Sequence, residues 1–144
     1  MDYFDFINNP KIKWRIIVEN EFVFSFPTHI PIVPGHTLIC PKRYISNVDE
    51  LTDEEFHALL ALQKQLKKAM IIAFDAEGFN YAWNEGELAG QNVKHLHLHM
   101  LPRKKSDSGI IDYEPRKFLY RPGSREISID QELMEVAELI KKYL

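Results

Sequence analysis

Three histidines alternate with apolar residues directly after a glycine-containing loop. His95, His97 and His99 are separated by Leu96 and Leu98. Because successive side chains of a β-strand point to opposite faces, a strand here would place the three imidazoles on one face and the apolar residues on the other. Near neutral pH an imidazole can act as a nucleophile, a proton shuttle or a metal ligand. This segment therefore predicts a strand whose polar face is a chemical site.

The pattern of apolar residues along the chain predicts an α+β fold with an antiparallel sheet of about five strands. Helices and strands do not alternate strictly, which argues against a doubly wound parallel sheet. A hairpin is expected to join the first two strands through the turn at 19–21. The predicted strands cover residues 14–18, 22–26, 37–40, 79–83 and 93–101.

Two capping boxes predict one long helix and a C-terminal helix. Thr52 with Glu55 begins the long helix, and Gly78 is a suitable end for it. Ser128 with Gln131 begins the C-terminal helix in the same way. The apolar face of the long helix is predicted to contain Phe56, Leu59, Leu60, Leu66 and Met70, and that of the C-terminal helix Leu133, Val136, Ala137 and Ile140.

Length and composition limit the classes of function. The 144 residues predict a single domain over 1–144, and the net charge of −3 argues against a nucleic-acid partner. No apolar run approaches the ~18 residues that cross a bilayer, and the N-terminus lacks the basic start and apolar core of a signal peptide. We therefore expect a cytoplasmic protein with no membrane partner. The single cysteine, Cys40, is expected to be a buried apolar residue, and 102–126 a long surface loop.

Three interpretations of the histidine segment remain open from the residues alone. The histidines can be incidental polar residues of a half-exposed strand, or they can be zinc ligands, although a third histidine two residues further on does not easily reach the same ion. The third interpretation is nucleophilic catalysis at phosphorus, in which a neighbouring group fixes the tautomer of the attacking ring. His97 is the natural nucleophile because it is flanked on both sides, and the loop Gly86–Gly90 would let backbone N–H groups approach phosphate oxygens.

Two motifs give the chain a specific resemblance to the histidine triad family. The segment GQNVKHLHLHMLPR at 90–103 resembles the family signature, and PIVPGHTLICPKR at 31–43 resembles its proline-glycine-histidine turn and the strand that follows. The likeness covers about residues 22–103. It implies a HIT-like α+β fold and a nucleotide hydrolase that cleaves at an α-phosphate. The fragile-histidine-triad branch, which splits dinucleoside polyphosphates, is the most similar, with adenosine phosphoramidases as the other candidate.

The resemblance implies a role for each matching residue. His97 would form a nucleotidyl-histidine intermediate, His95 would orient it through its backbone carbonyl, and His99 would bind the phosphate. His36 matches the turn histidine that packs behind the triad. The phosphate-contacting loop is matched by Asn84, Gly90 and Gln91. The resemblance also implies a small-molecule nucleotide substrate, no cofactor, no metal and a homodimer.

Two positions depart from the family pattern. Asn92 stands where these hydrolases usually have a serine or threonine, and an amide has no hydroxyl to relay a proton to the leaving group. Thr28 stands where an aspartate or asparagine normally holds both ribose hydroxyls, which a single hydroxyl cannot do. These departures keep a second hypothesis open, that of a nucleotide-binding protein without catalytic activity.

Overall fold

The structure is a computed structural model that describes residues 6–107 and 127–144. All the strands in these residues belong to one antiparallel sheet. The strands are β1 Val18–Glu19, β2 Val23–Pro27, β3 Thr37–Pro41, β4 Gly78–Ala82 and β5 Leu98–Arg103, in the spatial order β1-β2-β3-β5-β4. The helices are α1 Pro10–Lys13, α2 Asp53–Ala73 and α3 Asp130–Lys141. The predicted α+β class with a five-stranded antiparallel sheet, a long helix and a C-terminal helix is confirmed.

The first strand is shorter than predicted because the chain is still turning out of helix α1 where the strand was expected to begin. The Asn9 side chain accepts a hydrogen bond from the Lys11 N–H, and Pro10 stands at the first helical position, where its fixed φ favours a helix. The chain then turns at Trp14 and Arg15, so that only Val18 and Glu19 pair with β2. The prediction of a strand over 14–18 was therefore wrong for residues 14–17.

The histidine segment also departs from the prediction, because β5 begins at Leu98. Among the three histidines only His99 lies on the strand, opposite Leu38 of β3 and Ala82 of β4. Before it, the Leu96 N–H donates to the Ile45 carbonyl at 2.7 Å instead of joining a sheet ladder. The prediction that one strand face carries all three imidazoles was therefore wrong.

Helix α2 begins as the sequence predicts but buries a different face. The Thr52 hydroxyl accepts a hydrogen bond from the Glu55 N–H, and the Glu55 carboxylate accepts one from the Thr52 N–H, so the capping box is present. Phe56 and Leu60, predicted to face the core, are 42% and 37% exposed. The buried apolar residues of the helix are Leu59, Leu62, Leu66, Ala69 and Met70. The helix ends at Ala73, and Gly78 begins β4 instead of ending the helix.

Helix α3 buries the predicted stripe but lacks the predicted cap. Leu133, Ala137 and Ile140 are buried, with Val136 packed beside them. Its N-cap is Ile129, which has no side chain able to cap, so the capping box predicted at Ser128 was wrong. The Ser128 N–H instead donates to the His29 carbonyl at 2.7 Å, which places the start of α3 beside the chain at 28–29.

The two faces of the sheet have different partners, and this difference positions the site. Helices α2 and α3 cover one face, where Val23, Ile39 and Met100 are buried. On the other face Phe24, Phe26, Leu38 and Cys40 pack with Phe6 and Ile12, and the buried Cys40 agrees with the prediction. Within the described residues, no helix has both the length and the apolar character needed to cross a membrane. Of the loop predicted at 102–126, Pro102 and Arg103 belong to β5, and 108–126 lie outside the described residues.

Candidate active site

The imidazole of His97 has one nitrogen held by the backbone. Its Nδ1 lies 2.8 Å from the His95 carbonyl oxygen. Since a carbonyl can only accept, Nδ1 carries the proton, and in the neutral ring Nε2 has a free lone pair. His97 lines a cavity on this face of the sheet, and the Phe6 ring stands edge-on to the His97 ring, with centroids 5.3 Å apart. The ring is therefore oriented, with its unprotonated nitrogen at Nε2.

His95 is fully buried and fixes the position of that carbonyl. Its Nδ1 accepts the Phe6 backbone N–H at 3.2 Å, which leaves the proton on Nε2. Nε2 donates to the Pro41 carbonyl at 2.6 Å. Because both ring nitrogens bind backbone groups distant in sequence, the ring cannot rotate without breaking two hydrogen bonds. The position of the His95 carbonyl therefore fits the role that the resemblance implies.

His36 and His99 form a second oriented pair. The Ile32 N–H donates to His36 Nδ1 at 3.1 Å, so the His36 proton is on Nε2. That nitrogen lies 2.9 Å from His99 Nδ1, which must accept, and the neutral His99 ring then carries its own proton on Nε2. His99 lines the cavity, whereas His36 is buried behind it. His99 therefore presents an N–H donor suited to a phosphate oxygen.

Gly35 positions this pair at the start of β3. Its φ of +91° lies in the region that favours glycine, and an added Cβ would lie 2.8 Å from atoms of Phe74 and Pro102. The turn preceding His36 therefore requires glycine. The proline-glycine-histidine motif thus has a steric reason in this fold.

Burial changes the protonation of His97. Removal of the ring from water lowers its pKa below the ordinary value of 6.5, and the nearby His95 ring lowers it further, while the hydrogen bond to the His95 carbonyl partly opposes both. The neutral form, which alone can attack phosphorus, therefore predominates at neutral pH.

The cavity in front of His97 has a volume of about 540 Å³. Six of the nine predicted site residues line it, namely Thr28, Asn84, Gly90, Asn92, His97 and His99. His36 and His95 support it from behind, as described above. Gln91 does not line this cavity but a neighbouring one, which it shares with Asn92.

In the loop before the histidines, several N–H groups that were expected to contact phosphate donate hydrogen bonds within the loop. The N–H groups of Ala89 and Gln91 both donate to the Gly86 carbonyl, and that of Gly90 donates to Glu87. The Gln91 side chain accepts from the Gly86 N–H and donates to the Ser46 and Lys94 carbonyls. Three of the five N–H groups of Gly86–Gly90, those of Gly86, Ala89 and Gly90, therefore bond within the loop, and the approach of this loop to phosphate oxygens stays a prediction.

Several cavity residues were not found from the sequence. Phe6 and Ile12 reach the cavity from the N-terminal segment, Arg15 from the turn after α1, and Asp130 from the start of α3. Arg15 gave one signal, a charged residue within the apolar run at 14–18. Across 6–107 and 127–144, no three histidine, cysteine or acidic side chains converge as they would around a metal ion.

Comparisons with known proteins agree with this geometry. Residues 9–106 match the HIT domain family. The chain is 38% identical over 93 residues to a bis(5'-adenosyl)-triphosphatase of Dictyostelium discoideum, a match that covers 65% of this chain and 62% of that protein. It is 30% identical over 95 residues to the adenosine 5'-monophosphoramidase HNT1 of Saccharomyces cerevisiae, covering 66% of this chain and 58% of that protein. The match thus spans less than two thirds of each of these two relatives.

A solved structure gives the same result for the fold. The Hit-like protein of Bartonella henselae, described as involved in cell-cycle regulation, superposes with a TM-score of 0.72 at 28% identity, over 90% of this chain and 86% of that one. The antiparallel sheet and the three alternating histidines are consistent with a histidine triad protein. With the HIT domain matched over more than half of its length, the chain belongs to the HIT family.

Proposed function

We propose that the protein is a nucleotide hydrolase that cleaves at the α-phosphate through a nucleotidyl-His97 intermediate. One observation carries this proposal. The Nδ1–H of His97 donates to the His95 carbonyl, which leaves Nε2 as a free nucleophile in a residue that lines the cavity. Support also comes from the relatives, which include a triphosphatase and a phosphoramidase acting on adenosine compounds.

The reaction proceeds in two displacements. The His97 Nε2 lone pair forms a bond to the α-phosphorus, and the bond from phosphorus to the leaving group breaks with its electron pair going to that group. The N–H of His99 stabilises the charge that develops on the phosphate oxygens. Water then attacks phosphorus, the N–P bond breaks, and the lone pair returns to Nε2 while the water proton passes to solvent. The products are a nucleoside monophosphate and the leaving group.

The residue at position 92 favours dinucleoside polyphosphates over phosphoramidates as substrates. A nucleotide leaves as a stable phosphate anion and needs no proton, whereas an amine must gain a proton as it leaves. Asn92 lines the cavity, and its amide can donate a hydrogen bond but cannot give up a proton. We therefore expect diadenosine triphosphate to be hydrolysed faster than adenosine 5'-phosphoramidate.

The test compares the wild type with His97→Asn on both substrates in the presence of a chelator, with AMP release followed by chromatography. The wild type is expected to release AMP, and the variant to lose at least about a thousandfold in kcat. A quench in alkaline denaturant during turnover, which preserves the acid-labile N–P bond, is expected to trap a nucleotidyl adduct, detected as a mass increase of the wild type only. His57→Asn is the matched control, because His57 is exposed on α2.

Each other outcome counts against a stated part of the proposal. Equal AMP release by the wild type and His97→Asn would contradict the histidine nucleophile. Loss of activity on chelation would indicate a metal-dependent hydrolase instead. If neither substrate is cleaved but AMP binds, the protein is a nucleotide-binding member of the family, a function with which the substitutions at Thr28 and Asn92 are consistent.

A homodimer is part of this proposal, and an exposed surface on β4 and α2 supports it. Strand β4 is at one edge of the sheet, and edge strands can pair with another chain. Tyr81 and Trp83 beside this edge are 38% and 37% exposed, and Phe56 and Leu60 on α2 are exposed as well. We propose that this surface, which we call the β4–α2 surface, joins two copies of the chain.

A further inference from the structure

The Thr28 end of the cavity contains a nearly buried cation. Arg15 is 6% exposed and lines the cavity together with Thr28. Its Nε donates to the Pro27 carbonyl at 3.0 Å, and its Nη1 donates to the Lys11 carbonyl at 2.8 Å. The guanidinium also lies 5.4 Å from the centre of the Phe26 ring. The head group is therefore fixed beside the residue that precedes Thr28.

Arg15 retains unused hydrogen-bond donors at this position. A guanidinium has five N–H donors, and the hydrogen bonds that it makes to residues 6–107 and 127–144 use only Nε and Nη1. Burial lowers the pKa of Arg15 to about 10, and the negative charge of Asp130 opposes this effect. A desolvated cation with free donors on a cavity wall is stabilised by any ligand that brings an acceptor to it.

A carboxylate reaches the same end of the cavity from the other side. Asp130 is the first residue of α3 and lines the cavity. The hydrogen bond from the Ser128 N–H to the His29 carbonyl fixes this segment against residues 28–29. The Asp130 side chain makes no hydrogen bond or ion pair with any described residue, and its charge acts on Arg15 without a direct contact. A donor and an acceptor thus face the cavity beside Thr28 without neutralising each other.

We propose that Arg15 and Asp130 bind the ribose hydroxyls of the nucleotide, in place of the acidic or amide side chain that is missing at Thr28. Each hydroxyl of a cis-diol both donates and accepts a hydrogen bond. The Asp130 carboxylate accepts from the diol, and the free N–H groups of Arg15 donate to its oxygens. Thr28 cannot do this alone, since it has a single hydroxyl, which already accepts from the Ile30 N–H at 3.4 Å. This inference rests on the proposed function only in taking the ligand to be a nucleotide.

Binding measurements test the inference separately from catalysis. Calorimetry compares AMP with 2',3'-dideoxy-AMP on the wild type, Asp130→Ala and Arg15→Gln. The wild type is expected to bind AMP about 10- to 100-fold more tightly than the dideoxy compound, which is the effect of one or two charge-assisted hydrogen bonds. Asp130→Ala is expected to lose most of this preference by weakening AMP binding alone, with dideoxy-AMP affinity unchanged within about twofold.

A matched control separates ligand binding from helix stabilisation. Asp53 is the first residue of α2 as Asp130 is of α3, so Asp53→Ala removes the same helix-terminal charge without lining the cavity. It is expected to leave the AMP preference intact. Because Arg15 is buried, Arg15→Gln can also change stability. For this variant only the ratio of the AMP and dideoxy-AMP affinities is used, and its thermal unfolding is measured alongside.

Three results would overturn the inference. An Asp130→Ala variant that weakens both ligands equally would assign Asp130 a structural role. An altered ratio of GMP to AMP affinity with the ribose preference unchanged would assign the pair to base recognition. Absence of AMP binding at millimolar concentration would exclude a nucleotide site here. If AMP binds with the expected preference but no substrate is cleaved, the proposed hydrolase is wrong and this inference stands.

Discussion

At the scale of single residues, backbone groups decide which nitrogen carries the proton in His36, His95 and His97, and His36 in turn decides it for His99. Phe6 and Ile32 donate N–H groups to two of the rings, and the carbonyls of Pro41 and His95 accept from two. No acidic side chain among the described residues is needed to orient the triad. Burial lowers the pKa of His97, and the hydrogen bond to the His95 carbonyl opposes this less than a nearby carboxylate would.

The lowered pKa of His97 predicts the pH dependence of hydrolysis. Only the unprotonated ring is nucleophilic, so kcat/KM is expected to stay constant from about pH 8 to below 6.5 and to fall at lower pH. The free energy of unfolding is also expected to fall at low pH. The unfolded chain takes up this proton near 6.5 and the folded chain only at lower pH, so stability is lost as the pH falls.

Rate–pH profiles with urea unfolding at each pH check this prediction. His57→Gln serves as the control, since His57 is exposed on α2, and it is expected to leave the profile unchanged. An acidic limb with its midpoint above 6.5 would contradict the assignment of His97 as a buried neutral base.

Gln91 is expected to act on the loop rather than on substrate directly. Its side chain joins Gly86, Ser46 and Lys94 through three backbone hydrogen bonds. Gln91→Ala is therefore expected to cost about 1–2 kcal/mol of stability and to speed hydrogen exchange at the Gly86 amide. Urea unfolding and exchange measured by NMR check this, with the exposed Gln65→Ala as control. An unchanged Gly86 exchange rate would indicate that the loop is held by other contacts.

At the scale of secondary-structure elements, the two predicted capping boxes differ in outcome, and the difference is measurable. Thr52→Ala removes a side-chain hydrogen bond to the Glu55 N–H and is expected to cost about 1 kcal/mol. Ser128→Ala is expected to change stability by less than about 0.5 kcal/mol, because the N-cap of α3 is Ile129. Chemical denaturation of the two variants gives the comparison. Equal losses would indicate that Ser128 caps α3 after all.

Glu55 explains why the cap of α2 is well defined while that of α3 is not. Its carboxylate is almost fully buried and accepts hydrogen bonds from Arg43 and from the Thr52 N–H, and these lower its pKa. The cap of α2 is thus joined to the segment that follows β3. Helix α3 instead begins where Ser128 meets His29, a contact between distant segments.

At the scale of the whole molecule, the β4–α2 surface predicts the oligomeric state. Trp83→Lys places a charge beside the edge of β4 and is expected to convert a dimer into a monomer, because the cost of burying an unpaired ammonium is large. Light scattering coupled to size exclusion checks the mass. Ile72→Lys is the control, since Ile72 is also exposed on α2 but points away from Phe56 and Leu60. A wild-type monomer would contradict the proposed dimer.

The single domain predicted over 1–144 stays a prediction. The described residues on both sides of 108–126 share one core, in which Ala137 and Ile140 of α3 pack with Leu59 and Leu66 of α2. The contact of α3 with the rest of the chain also brings Asp130 to the cavity. Thus the C-terminal helix has a structural role and, in our proposal, a role in binding.

The sequence by itself determined the features that depend on neighbours a few residues apart. The capping box at Thr52, the apolar strand 37–40 and the histidine motif are read from local spacing, and they predicted the fold class, the long helix and the nucleophile. The family resemblance added the roles of His36 and His95, whose positions in the structure fit those roles. The fold class, the long helix and strand 37–40 are confirmed because helix caps and strand patterns are short-range effects, whereas the nucleophile stays a prediction.

Only the tertiary structure decided the features that depend on partners distant in sequence. The hydrogen bonds of His95 join it to Phe6 and Pro41, which are 89 and 54 residues away. Local spacing therefore shows neither which His95 nitrogen carries the proton nor that the strand begins only at Leu98. The same holds for Arg15 and Asp130, which line one cavity although they lie near opposite ends of the chain. Local spacing selects elements, whereas the packing of those elements selects which side chains share a site.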